Sequence, residues 1–118
     1  DKPDDYVIST MQQITVRKFC ELTAQELGMN IVWSGEGVDE YGVDSITGKK
    51  VIEVSPRYFR DAEVETLLGD STKARQELGW YPEVTVEEMI KEMVKKDIEF
   101  AQRDEYLAKG GFSRYAYE

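Results

Sequence analysis

Apolar residues along this chain follow two helical stripes separated by short, strand-like runs. Thr15 can cap a helix whose apolar positions Val16, Phe19, Cys20, Thr23 and Leu27 recur at helical spacing, and Gly28 supplies its stop. The longest periodic stretch opens at Thr85-Val86-Glu87-Glu88, a capping box in which hydroxyl and carboxylate each satisfy an orphan amide. Val86, Met89, Ile90, Met93, Val94, Asp97/Ile98 and Ala101 trace its core face to about Arg103. Between them, Asp70 or Ser71 can cap a short helix through Lys73, Ala74 and Leu78 to Gly79, after which Trp80-Tyr81-Pro82 forbids continuation.

Three short runs read as strands. Tyr6-Val7-Ile8-Ser9 follows a Pro/Asp cluster, Asn30-Ile31-Val32-Trp33 follows the first helix, and Val51-Ile52-Glu53-Val54 ends at Pro56. The order strand, helix, strand is the connection that parallel sheets need, so the pattern predicts an α/β class. Residues 34–50 carry Gly35, Gly37, Gly42 and Gly48 among charges without a sustained period, which predicts a long loop. Residues 57–69 read as ordered loop with a brief strand near 66–68, and the tail beyond 110 shows no clear structure.

The chain's 118 residues are enough for one modest domain and too few for a cofactor domain plus a substrate domain. The opening Asp1-Lys2-Pro3-Asp4-Asp5, with a strand-like run already at residue 6, is what a piece of a longer protein would present. A formal charge of −9, from 24 acidic and 15 basic residues, repels phosphate backbones and anionic headgroups, so neither nucleic acid nor a membrane is an expected partner. No apolar run is long enough to span a bilayer and no secretory leader is visible, so a cytoplasmic location is expected. The single cysteine, Cys20, agrees with a reducing compartment. The absence of histidine removes the commonest general base and the Ser-His and Cys-His nucleophile pairs, and with them most self-contained hydrolases.

Candidate motifs divide sharply. Gly35-Glu36-Gly37-Val38-Asp39-Glu40 begins like a dinucleotide fingerprint, but Glu40 holds the third glycine position and no helix follows. Asp39, Glu40 and Asp44 match no calcium-loop spacing and read as a solvated acidic loop. Cys20 lies on an apolar stripe without an activating neighbour, as a buried hydrophobe should. The run Pro56-Arg57-Tyr58-Phe59-Arg60-Asp61-Ala62-Glu63-Val64-Glu65 differs, because it sets two arginines and two aromatics just after a strand in an acidic chain. Guanidinium suits bidentate phosphate recognition. Alternatively, Arg57 and Arg60 simply pair with Asp61, Glu63 or Glu65 at the surface, and the residues alone leave both readings open.

Ile52-x-Val54-x-Pro56-Arg57-Tyr58-Phe59-Arg60-x-Ala62-Glu63-Val64-Glu65-Thr66-Leu67-Leu68-Gly69-Asp70, then Thr72-Lys73-Ala74 and Leu78-Gly79-Trp80-x-Pro82, resembles the C-terminal part of the GDP-mannose 4,6-dehydratase family. Tyr6-Val7-Ile8-x-Thr10, Val16-Arg17 with Phe19, and Gly37-Val38-Asp39-Glu40 fit the same family in the same order. The Lys-Ala…Leu-Gly-Trp stretch is shared by extended short-chain dehydrogenase/reductases that act on nucleotide sugars. The Arg-Tyr-Phe-Arg…Glu-Val-Glu stretch is more specific.

The resemblance implies the small C-terminal α/β substrate-binding domain of such an enzyme, short strands with about three helices over residues 1–118. An N-terminal Rossmann domain carrying NADP would then be absent from this chain. It also implies GDP-mannose as the bound partner and a whole enzyme, a possible homo-oligomer, that makes GDP-4-dehydro-6-deoxy-mannose, a precursor of deoxyhexoses such as fucose, by internal redox and water loss. Related enzymes place an arginine on the diphosphate and an acid three residues later on ribose hydroxyls. Arg60 and Glu63 fit that spacing, with Arg57 and Tyr58 as further candidates for the same pocket. No Tyr-x-x-x-Lys pair exists in the chain, so no catalytic residue is expected and the chain alone should be inactive. Two positions depart from the family pattern: Asp61 stands where proline is usual, and Met11 where glycine is usual. Alternatives are another nucleotide-sugar dehydratase or epimerase domain, or a non-catalytic protein-interaction module.

Overall fold

Thr15 nucleates the first helix as its position predicts. In the computed structural model of the protein, which describes residues 2–63 and 65–113, its Oγ1 accepts the Lys18 amide at 3.0 Å and starts α1 (Val16–Glu26). Gly28, at φ 73°, takes the left-handed conformation that ends it. The short α2 (Thr72–Leu78) is opened by Asp70, whose Oδ1 accepts the Thr72 amide at 2.9 Å, and is closed by left-handed Gly79. The long α3 (Val86–Lys109) begins with the full capping box of Thr85 and Glu88. It runs six residues past the expected end at Arg103, to the Gly110-Gly111 stop.

The sheet corrects the sequence reading. Strands β1 (Ile31–Ser34), β2 (Tyr41–Asp44) and β3 (Lys50–Glu53) form an antiparallel meander in the order β1-β2-β3, and no parallel pair occurs among the described residues. Six residues separate β1 from β2, too few for the crossover that a parallel neighbour requires. The expected loop over 34–50 thus contains a strand, hidden from pattern reading by Gly42. That glycine lies under Ile31 and Trp33, where a methyl group would sit 2.9 Å from Ile31 Cγ2 and 3.3 Å from Trp33 Cζ3. Asp44 organises the β2–β3 turn, accepting the amides of Asn30 and Ile46 and the Thr47 hydroxyl.

Tyr6-Val7-Ile8-Ser9, expected as a strand, is extended without a ladder, and the brief strand expected at 66–68 is irregular. Side chains stitch these two segments instead: Ser9 Oγ donates to the Gly69 carbonyl and Ser71 Oγ donates to the Ser9 carbonyl, both at 2.8 Å. Lys73 reaches Asp4 and lies 4.9 Å from the Tyr6 ring centroid, and Tyr6 Oη donates to Glu77. Met11, next along the strap, stands at φ 59°, the conformation for which glycine is the usual residue. Val64, Tyr115 and Tyr117, singled out from the sequence, lie outside the described residues.

Packing is shallow. Ala24, Ala74, Ile90 and Val94 are the buried apolar residues among those described, and α3 packs against α1. Val16, Met89 and Met93, expected on apolar faces, are substantially exposed. Among the described residues the architecture is therefore a small α/β unit of three α-helices and a three-stranded sheet.

Gly42→Ala forces a methyl into occupied space and should cost about 1 to 3 kcal/mol in a denaturant titration; an unchanged midpoint would mean the sheet face relaxes freely. The Asn30 amide and Thr47 hydroxyl hold the Asp44 carboxyl below its ordinary range. A depressed carboxylate pKa stabilises the fold above the unfolded value of about 3.9 and loses that contribution as pH falls through the folded value. The stability gap between the parent and Asp44→Asn should therefore be constant above about pH 5 and narrow below about pH 4; a gap constant down to pH 3 would refute the role.

Candidate functional site

The basic segment begins where β3 ends. Pro56 follows the strand, and the Tyr58 and Phe59 amides both donate to the Ser55 carbonyl, at 3.1 and 3.0 Å, folding residues 55–59 into one tight turn. This turn projects Arg57 and Tyr58 together, with the guanidinium 5.3 Å from the ring centroid. Arg60 and Glu63 are also brought together: Nη1 lies 3.8 Å from Oε1, and their side chains are 76% and 67% exposed. At that exposure an ion pair is worth about 0 to 1 kcal/mol, so an incoming anion can displace the carboxylate. The surface pairing of Arg60 with Glu63 is thus present, and both side chains remain mostly exposed.

Two cavities lie elsewhere. One, of about 350 Å³, separates α1 from the sheet and is lined by Phe19, Cys20, Thr23, Leu27, Ile31 and Ile52 among others. Burial pushes the Cys20 thiol up, away from the reactive thiolate. The other, of about 580 Å³, lies between Thr10, Gln12 and Ile14 on one side and Pro82, Thr85 and Met89 on the other. Neither is lined by a basic residue, so neither suits a diphosphate. Arg57 and Arg60 stand instead on the surface that follows β3.

The residues around Gly35 and Gly37 do not fit a dinucleotide. A methyl on Gly35 would lie 2.3 Å from the Asp39 carbonyl oxygen, so this glycine serves a tight turn. The chain then makes a single 3-10 turn (Gly37–Asp39) and enters β2, leaving no helix N-terminus to face a pyrophosphate. Asp39, Glu40 and Asp44 do not converge either. Glu40 pairs with Arg17 and Asp44 is consumed by its hairpin. Among the described residues no group of three or more acids or cysteines could hold a metal ion, and no helix is long and apolar enough to cross a membrane.

Sequence reasoning missed one polar cluster. Arg17 of α1 is ion-paired to Glu40, lies 4.9 Å from the Trp33 ring centroid, and has as neighbour Glu21, which accepts the Trp33 indole N–H at 3.0 Å. The Arg17/Glu21 spacing of four was visible, but Trp33 and Glu40 reach them only through the fold.

Comparison with known proteins bears on this geometry. Residues 1–93 match the family model described as GDP-mannose 4,6 dehydratase. The chain is 48% identical over 122 residues to the GDP-mannose 4,6-dehydratase of Yersinia enterocolitica, covering 95% of the chain and 33% of that relative. It is 50% identical over 121 residues to a Vibrio cholerae protein of the same name, covering 94% and 32%. With the human GDP-mannose 4,6 dehydratase it shares 42% over 99 residues, 84% of the chain and 27% of the relative. The chain spans about a third of the length of these relatives.

Proposed function

This chain belongs to the GDP-mannose 4,6-dehydratase family, and from that membership we propose that it is the part of an NADP-dependent dehydratase that grips GDP-mannose. The observation that carries the reading is the exposed Arg60/Glu63 pair next in sequence to Arg57 and Tyr58, which sets two guanidinium groups within four residues of a chain of net charge −9. Arg60 donates to the diphosphate oxygens, and Glu63, released from its weak pair, accepts hydrogen bonds from the ribose hydroxyls. Arg57 and Tyr58 flank the same ligand. A second wall, borne by an N-terminal cofactor domain, encloses it.

The chain does not perform the reaction by itself. It has no Tyr-x-x-x-Lys pair and no histidine, and its glycine-rich turn does not fit a dinucleotide. Its contribution is binding and orientation of the nucleotide sugar, converted in the whole enzyme to GDP-4-dehydro-6-deoxy-mannose.

Calorimetric titration of the chain with GDP-mannose, with UDP-glucose as comparison and a circular-dichroism melt to establish folding, should show selective binding of GDP-mannose. Charge-assisted hydrogen bonds contribute about 1.5 to 3 kcal/mol each, so Arg60→Ala should weaken binding roughly ten- to hundredfold. Equal affinity of the folded variant and parent would reject the assignment. Asp61→Asn removes a negative charge next to the arginine, so affinity should rise by at most about fivefold and the gain should shrink in high salt. A salt-independent gain would exclude the electrostatic explanation.

A further inference from the structure

Building on the pocket reading, we infer that Arg17 is a positioning residue for segment 57–63, acting from α1 through the turn at 37–40. The segment's own anchorage is local, the two amides on the Ser55 carbonyl. Its longer-range contacts both lead to one place. The Val54 amide, just ahead of the turn, donates to the Glu40 carbonyl at 3.4 Å. The Phe59 ring, between Tyr58 and Arg60, packs against Gly37, with Cζ 3.8 Å from where a methyl on that glycine would stand. Together with the pairing of β3 to β2, residues 37–40 thus brace the start of the arginine-bearing segment.

That turn is in turn fixed from the helix. Residues 37–40 form one 3-10 turn in the loop closed by the Ser34–Tyr41 pair of β1 and β2, and among the described residues Glu40 to Arg17 is the ion pair that ties this loop to α1. Glu40 is 23% exposed, so this pair is better shielded from solvent than the Arg60 pair. The Trp33 ring lies against the guanidinium, and Trp33 is itself tied to Glu21. Arginine suits this place because its planar head can stack on an indole and pair with a carboxylate together, which an ammonium does less well. Arg17 touches no proposed ligand position, so its influence on binding passes through Glu40, Gly37 and Phe59.

The test compares the parent chain with Arg17→Ala, Arg17→Lys and the double swap Arg17→Glu/Glu40→Arg. Amide hydrogen exchange is followed peptide by peptide, together with GDP-mannose titration and thermal melting. The expected result for Arg17→Ala is about tenfold faster exchange in peptides spanning 54–63, with α2 and α3 protected as in the parent, and about tenfold weaker GDP-mannose binding. Arg17→Lys should recover part of both effects and the swap most of them. Unchanged exchange at 54–63 in Arg17→Ala would overturn the inference, as would acceleration spread evenly over all helices with a matching fall in melting temperature. The exchange readout needs no ligand. If Arg60→Ala leaves affinity unaltered while Arg17→Ala still loosens 54–63, the pocket reading fails and the tether stands. If Arg60→Ala abolishes binding while Arg17→Ala moves neither readout, the tether fails and the pocket stands.

Discussion

Few apolar side chains are buried among the described residues of this chain, which spans about a third of its relatives' length, so polar contacts carry much of its arrangement. Its accessible surface is 10170 Å², whereas a compact protein of 13.6 kDa would expose about 6,600 Å². Its radius of gyration is 19.1 Å against roughly 13.5 Å for a compact chain of this length. With only Ala24, Ala74, Ile90 and Val94 buried among the described residues, hydrophobic contact joins α1 to α3 but leaves much of the sheet and the N-terminal strap to other forces. Polar stitching does that work: Ser9 to Gly69, Ser71 to Ser9, Lys73 to Asp4, Arg17 to Glu40, and Asp44 within its hairpin. Directional bonds set where elements sit, and with them the position of the segment that carries Arg57 and Arg60.

The same constraint explains the form of the site. A domain with a deep core can hollow out an apolar pocket with a few polar groups at its rim. Here both cavities lack basic lining, and the guanidinium groups stand on an open turn beyond β3. In water, interactions of such exposed groups are screened and weak. They gain strength when a second surface excludes solvent, which accords with a chain that corresponds to about a third of its relatives. Exposed Val7, Ile8, Leu67 and Leu68 show that apolar surface is available next to the strap for such a contact.

Local chemistry was legible in the sequence wherever a residue acts on neighbours within a few positions. Thr15 and Gly28 bound α1, Thr85 and Glu88 open α3, and Gly79 ends α2, because capping hydrogen bonds and left-handed glycines operate over three or four residues. The α/β class was also legible, though the parallel pairing inferred with it was not what formed. Tertiary structure alone decided the strand partners. Gly42 weakens the strand signal of β2 and is explained only by Ile31 and Trp33 above it, while the extended 6–9 run has no ladder partner among the described residues. It likewise decided that Arg17 meets Trp33 and Glu40 and that Phe59 lies near Gly37, because pairing across 16 to 23 residues depends on how the meander folds back over α1, which no local period encodes.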